Sequence, residues 1–169
     1  SLGSRCSGGD IFLNGQSLNQ VRRSQIPYLR RTMGLICQSP NLLNDRNIFN
    51  NVALPLMISG MAPADVAKRV RASLDMVGLL NKEKCLPQEL STGQQQRVGI
   101  ARAVSHKPSI ILADEPTGNL DPSLSKDIMD LFSNLNSFGV TVLIATHDLS
   151  LIATMRYPIL VLKEGRILC

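Results

Sequence analysis

The sequence has no tryptophan and only 4% aromatic residues, so it lacks the stacking surfaces on which single-stranded nucleic acid is usually held. Its four cysteines, Cys6, Cys37, Cys85 and Cys169, are far apart and never in C-x-x-C spacing, which indicates neither a zinc site nor a disulfide framework. They read as reduced thiols of a cytosolic protein. The longest apolar stretch, residues 52–62, is interrupted by Pro55 and Gly60 and is too short to cross a bilayer. Any membrane link is therefore expected through a partner. No signal peptide is visible, and the first residue is not methionine, which leaves the native N-terminus open. The dipeptide Gly-Lys occurs nowhere, so Ser7-Gly8-Gly9 is not read as a phosphate-gripping loop. Against these absences stand 169 residues, 44% hydrophobic and 18% charged, enough for one domain with a sizeable core. A net charge of +5 suits a nucleotide, an anionic membrane surface or nucleic acid, and does not choose among them.

The chain is organised around residues 90–121. Ile110, Ile111, Leu112 and Ala113 form an unbroken apolar run, as expected of a parallel strand buried on both faces. Asp114 and Glu115 follow at once, and Pro116 stops the strand. Acids placed there lie on the edge where open α/β sheets bind ligands. Adjacent strand residues point opposite ways, so the two acids must differ in task. One can hold Mg²⁺ while the other polarises a water; solvated acids at an ordinary strand end are the plain alternative. Upstream, Ser91 is placed as the N-cap of a helix, with Gln94 three residues on completing a capping box. Gly93 would bare backbone N–H groups at that helix start, where the dipole favours a phosphate. Arg97 and Arg102 would add positive charge nearby.

Around this centre, strands and helices alternate. Residues 11–13 and the turn Asn14-Gly15 read as a strand entering a tight turn. Arg22, Arg23, Arg30 and Arg31 surround a short helix at residues 26–31; a solvated face is the simplest explanation, and contact with nucleic acid or lipid headgroups the other. A strand at residues 33–37 leads directly into Gln38. Asn47 caps a helix over residues 48–59, and Pro63 begins another, with Val66, Val70, Leu74 and Val77 on one face and Gly78 at its end. Lys68, Arg69 and Arg71 fall toward its other face. Pro122 starts a helix whose stripe is Ile128, Leu131, Phe132 and Leu135, ending at Gly139. A buried strand over residues 140–145 runs into Thr146-His147-Asp148. Residues 159–168 read as a hairpin turning at Glu164-Gly165. His106 has no functional context.

Taken together, Leu90-Ser91-Thr92-Gly93-Gln94, the strand ending in Asp114-Glu115, and Asn119-Leu120-Asp121 resemble the signature motif, the Walker B strand with its glutamate, and the D-loop of the ABC-type ATPases. Thr92 departs from the family, which commonly has glycine there. The resemblance implies an α/β fold of the P-loop NTPase type with a mainly parallel sheet and a helical subdomain at residues 39–90 that contacts membrane partners. In the family the phosphate loop lies just upstream of the point where this chain begins, so the resemblance implies a partial domain lacking that loop and inactive alone. By resemblance, Glu115 and His147 are catalytic, the latter as the switch histidine. Gln38, Ser91, Gly93, Gln94, Asp114 and Asp121 would bind ATP, with Gln38 and Asp114 serving Mg²⁺. The implied partners are a second copy, joined through ATP, and an integral membrane protein, at the cytoplasmic face of a bacterial inner membrane; no nucleic acid is expected. Residues 113–121 are similar to a subgroup that includes lipoprotein-release ATPases and macrolide exporters. A soluble family member acting on nucleic acid is the reading from another class, although no long coiled-coil insertion of the repair type is present. A non-catalytic fragment is the third.

Overall fold

The computed structural model describes residues 10–13 and 15–168; Ser7-Gly8-Gly9, Asn14, Cys6 and Cys169 lie outside them. In chain order the elements are β1 (Phe12–Leu13), β2 (Gln16–Ser17), α1 (Ile26–Arg31), β3 (Met33–Ile36), α2 (Ile48–Ile58), α3 (Pro63–Met76), α4 (Thr92–Val104), β4 (Ile110–Asp114), α5 (Pro122–Ser137), β5 (Thr141–Ala145), α6 (Leu149–Thr154), β6 (Val161–Lys163) and β7 (Arg166–Leu168). Strands β3, β4 and β5 form a parallel sheet in that order. The β1–β2 and β6–β7 pairs are separate antiparallel hairpins.

The expected signals act at the element ends. Asn47 caps α2 by accepting from Asn50 N, Pro63 is the first residue of α3, and Gly78 takes φ +71° just beyond it, a backbone conformation that costs glycine little. Val66, Val70, Leu74 and Val77 are buried on one face of α3. Each such side chain removed from water contributes about 1.5–3 kcal/mol. Glu164 and Gly165, at φ +51° and +76°, supply the left-handed pair that a tight hairpin turn requires.

One expectation fails. The parallel strands are not buried on both faces, because the described helices cover only one. Gly34, Ile36, Ile111 and Ala113 face a core shared with Val98 and Ile100 of α4 and Ile128 and Phe132 of α5. On the other face Leu35 and Leu143 are 67% and 55% exposed, and β5 is nowhere fully buried. Leu35, Leu112 and Leu143 stand side by side in register across the three strands, an apolar row on the uncovered side. The covered side is tight: a β-carbon at Gly34 would come within 2.9 Å of the Ala103 carbonyl oxygen in α4. Helices α2 and α3 pack against each other and against α4, so α4 lies between the sheet and the helical pair.

Candidate functional site

The ends of all three parallel strands meet at one edge. Gln38 comes two residues after β3, Asp114 ends β4 with Glu115 next, and Thr146-His147 follow β5. Asp114 is exposed and Glu115 is half-buried. Glu115 continues the ladder by donating its N–H to the Ala145 carbonyl at 2.9 Å, yet its φ is +45°. A non-glycine residue in the left-handed region costs about 1–2 kcal/mol, and such strain collects at functional positions.

That turn aims the Glu115 carboxylate at the neighbouring strand end. Its Oε1 accepts from the His147 backbone N at 2.8 Å and lies 2.6 Å from His147 Nδ1, while Oε2 accepts from Thr146 Oγ1 at 3.1 Å. Thr146 Oγ1 in turn accepts from Asp148 N, and Asp148 caps α6 by accepting from Ser150 N and Leu151 N. Burial pushes the Glu115 carboxyl up, but the hydrogen bonds from His147 and Thr146 outweigh it and hold the group below its ordinary value. The hydrogen bond to Glu115 raises the His147 imidazole, whose side chain is 87% exposed. The result is an anionic carboxylate of fixed direction beside an accessible imidazole.

Gln38 is oriented differently. Its Nε2 donates to Asn119 Oδ1 at 3.4 Å, and a β-carbon at Gly118 would come within 2.9 Å of that nitrogen. Gly118 thus gives Gln38 room, and the amide oxygen accepts no hydrogen bond among the described residues. The turn between β4 and α5 is closed by Gly118 N on the Glu115 carbonyl and Leu120 N on the Thr117 carbonyl. Asp121 ends it as the N-cap of α5, and the hydrogen bonds it accepts from Leu124 N, Ser123 Oγ and Ser123 N keep its carboxyl low.

The capping box of α4 forms as the sequence predicts: Ser91 N donates to Gln94 Oε1 at 3.1 Å and Gln94 N to Ser91 Oγ at 3.4 Å. The N–H groups of Thr92 and Gly93 have no acceptor among the described residues, as the first turn of a helix leaves them. Gly93 serves a further need, since a β-carbon there would lie 2.9 Å from Leu124 Cδ1 of α5; it allows the two helix starts to meet. Thr92 is exposed and outside the left-handed region, so it fits the first helical position without strain. The expected role of the two arginines needs correction. Arg97 is bound to Asp127 at 2.6 Å, and Arg102, whose guanidinium burial lowers, donates to the carbonyls of Pro40 and Asn41. Neither is free to face a phosphate.

The predicted residues therefore fall into three groups. Glu115 and His147 form one; Gln38 meets Asn119 beside Gly118; Ser91, Gly93 and Gln94 stand at the start of α4. No hydrogen bond joins these groups, or Asp114, to one another among the described residues. Thr146 was seen in the sequence only as part of a strand end, although a hydroxyl next to a histidine is a fair orienting group. Asn51 was missed altogether. Fully buried in α2, it accepts from Leu43 N and donates to the carbonyls of Leu43, Arg46 and Asn47. A polar residue within an apolar helix face was the available signal. His106 is held by Met33 O at 3.2 Å, and burial lowers its pKa.

The donor set suits Mg²⁺ only with a ligand present. Among the described residues no three His, Cys, Asp or Glu side chains gather around a point. One free carboxylate and one amide oxygen at a strand edge match the ion's habit of taking one or two protein oxygens, with water and phosphates supplying the rest.

A strand-edge carboxylate paired with a histidine, a glutamine at the end of the adjacent strand and a capped helix start are compatible with a nucleotide-binding cassette. The family model described as ABC transporter matches residues 3–118, and the chain belongs to that family. It is 50% identical over 163 residues to the cell division ATP-binding protein FtsE of Escherichia coli strain K12, covering 96% of this chain and 73% of that protein. Among solved structures, cbiO1 from Clostridium perfringens, part of the ABC transporter complex cbiONQ, superposes with a TM-score of 0.88 at 29% identity, covering 96% of this chain and 65% of that one. The ATP-binding cassette MJ0796, solved as a dimer bound to ADP and Pi, gives a TM-score of 0.76 at 34% identity, covering 89% of this chain and 67% of that one. The fold is that of the ABC ATPase cassettes.

Proposed function

We propose that this chain acts in an ATP-hydrolysing subunit of an ABC-type membrane complex of the FtsE kind, working with an integral membrane partner like FtsX in bacterial cell division. The observation that carries the reading is the Glu115–Thr146–His147 network. An ionised carboxylate held by three hydrogen bonds is a general base of fixed direction.

In this reading Glu115 takes the proton of the attacking water, and the exposed imidazole of His147 contacts the terminal phosphate, where its raised pKa favours the charged form. Asp114 and the Gln38 amide oxygen would hold Mg²⁺, which would supply positive charge against the phosphates. Ser91, Gly93 and Gln94 offer the bare end of α4 to the nucleotide of a second copy, and Asp121, fixed at the start of α5, links the two sites. Residues 39–90 form the helical subdomain that meets the membrane protein. The reading places the subunit peripherally on the cytoplasmic face of the inner membrane, held there by its membrane partner; no helix of the described residues is long and apolar enough to cross a membrane.

The test uses a chimera in which the phosphate-loop segment of Escherichia coli FtsE precedes Ser1. Ser91→Arg should leave nucleotide binding by the monomer nearly intact but abolish dimerisation by Mg-ATP, because a long side chain blocks approach of phosphate to the helix end. Light scattering with and without Mg-ATP reads the outcome. Undiminished dimerisation of the variant would refute the role given to α4.

A further inference from the structure

Parallel strands that finish together also begin together. Met33, Ile110 and Thr141 stand in register at the start of β3, β4 and β5, about 15–20 Å from the edge that carries Gln38, Glu115 and His147, at about 3.3 Å per residue. Three connections meet at this opposite edge: the end of α1, the loop from α4 to β4 and the turn from α5 to β5. Their backbones are joined, Ser109 N donating to the Thr32 carbonyl and Thr141 N to the Ser109 carbonyl, each at 3.0 Å.

Charge at this edge is of one sign. Arg30 and Arg31 close α1, Lys107 precedes β4, and all three are exposed. Arg22 and Arg23, also exposed, lead into α1. None of these cations has an ion-pair partner among the described residues. No Asp or Glu occurs in residues 11–44, 105–113 or 131–147, so the segments that build the edge carry no acid of their own; Asp10, the next in line, accepts from Asn19 at 2.7 Å. Two rings accompany the cations. Tyr28 is 68% exposed, with the Arg31 guanidinium 5.3 Å from its ring centre. Phe138 is 82% exposed, more than any other large apolar side chain described. Its ring is not needed to end α5, because Gly139, at φ +88°, and Val140 N donating to the Leu135 carbonyl complete that helix end through the backbone.

We propose that this edge, through Arg30, Arg31, Lys107 and Phe138, docks on the headgroups of an anionic phospholipid bilayer. Cations set among exposed rings suit that interface: guanidinium and ammonium groups meet the lipid phosphates, and aromatic rings settle at headgroup depth. Nucleic acid is matched less well. The cations of this edge lie on a six-residue helix and on loops, whereas a groove is entered by a longer helix or a two-stranded ribbon. The surface lies at the other end of the sheet from Gln38, Glu115 and His147 and does not depend on what they bind.

The experiment mixes the 169-residue chain, without nucleotide, with vesicles of phosphatidylglycerol and phosphatidylethanolamine, and separately with vesicles of phosphatidylcholine, and reads the bound fraction by sedimentation. Binding should occur on the anionic vesicles only and weaken as salt rises. Each cation at such a surface is worth about fivefold in partitioning, so Arg30→Gln together with Arg31→Gln should weaken binding by about twentyfold. Phe138→Ser should weaken it by about threefold or more, through lost apolar contact. Lys126→Gln with Lys163→Gln removes the same charge from exposed positions elsewhere and should change binding by less than about twofold. Circular dichroism checks folding, and if the double arginine variant does not fold, Phe138→Ser decides. No binding of the parent to anionic vesicles, equal binding to neutral ones, or equal loss in the two charge variants overturns the proposal. So does undiminished binding by Phe138→Ser, or a DNA duplex that strips the chain from the anionic vesicles. Because no ATP is used, a failed ATPase reading leaves this result standing, and the reverse also holds.

Discussion

Replacing Asn51 tests how firmly the chain between the Gln38 segment and α2 is tied down. Its side chain is fully buried and serves one N–H and three carbonyls between Leu43 and Asn47, at 2.7–3.1 Å. An amide has two hydrogens to donate, so three carbonyls must share them, and the set amounts to about three effective hydrogen bonds. At about 1 kcal/mol each, Asn51→Ala should cost about 3 kcal/mol, part of it from backbone groups left without partners. For a chain of this size that is a fall in melting temperature of about 6–12 °C. Asn51→Asp should be no better, since it sets a carboxylate against three carbonyls. Asn50→Ala, on the exposed side of the same helix, should stay within about 0.5 kcal/mol. Urea unfolding followed by circular dichroism gives both values. A loss below about 1 kcal/mol for Asn51→Ala would mean that water replaces the amide and that the segment is loosely held.

The two histidines should titrate apart. His147 is expected above the ordinary 6.5, because its hydrogen bond to Glu115 favours the imidazolium, and His106 below it, because burial disfavours charge. A raised folded value means that the His147 contribution to stability is complete below 6.5 and is lost as pH rises through the folded pKa; the lowered Glu115 contributes above about 4.5 and loses its contribution as pH falls through its own. Glu115→Gln should return His147 toward 6.5 in an NMR titration, and an unmoved value would contradict the pairing. Separately, these 169 residues contain no Gly-Lys-Ser/Thr loop, so titration calorimetry should find no saturable ATP binding at micromolar concentration, and tight binding would show that the remaining residues grip phosphates on their own.

Signals confined to a few neighbouring residues were legible in the sequence. The capping box of Ser91 and Gln94, Pro63 and Gly78 around α3, and the turn at Glu164-Gly165 all act through local backbone geometry. The strand-edge placement of Asp114 and Glu115 was legible for the same reason. What the sequence did not disclose depends on contacts across the fold. An apolar run cannot say how many of its faces a helix covers, so the openness around Leu35 and Leu143 was unexpected. An arginine near a helix start looks free until its partner is known: Asp127 lies 30 residues from Arg97, and Pro40 lies 62 from Arg102. Gln38 was picked out by resemblance, but its neighbour Asn119 is 81 residues away. The left-handed backbone of Glu115 has no signature in residue type, since a glutamate there runs against local preference.

The most direct measurement is the turnover of the phosphate-loop chimera carrying Glu115→Gln. The substitution keeps the shape of the side chain and removes the charge that His147 and Thr146 hold in place. A positioned general base contributes about 10²–10⁴ in rate. Steady-state phosphate release should therefore fall by about a hundredfold or more, while Mg-ATP still binds and still dimerises the chain. Hydrolysis by Glu115→Gln at the parent rate would contradict the central claim that this carboxylate activates the attacking water.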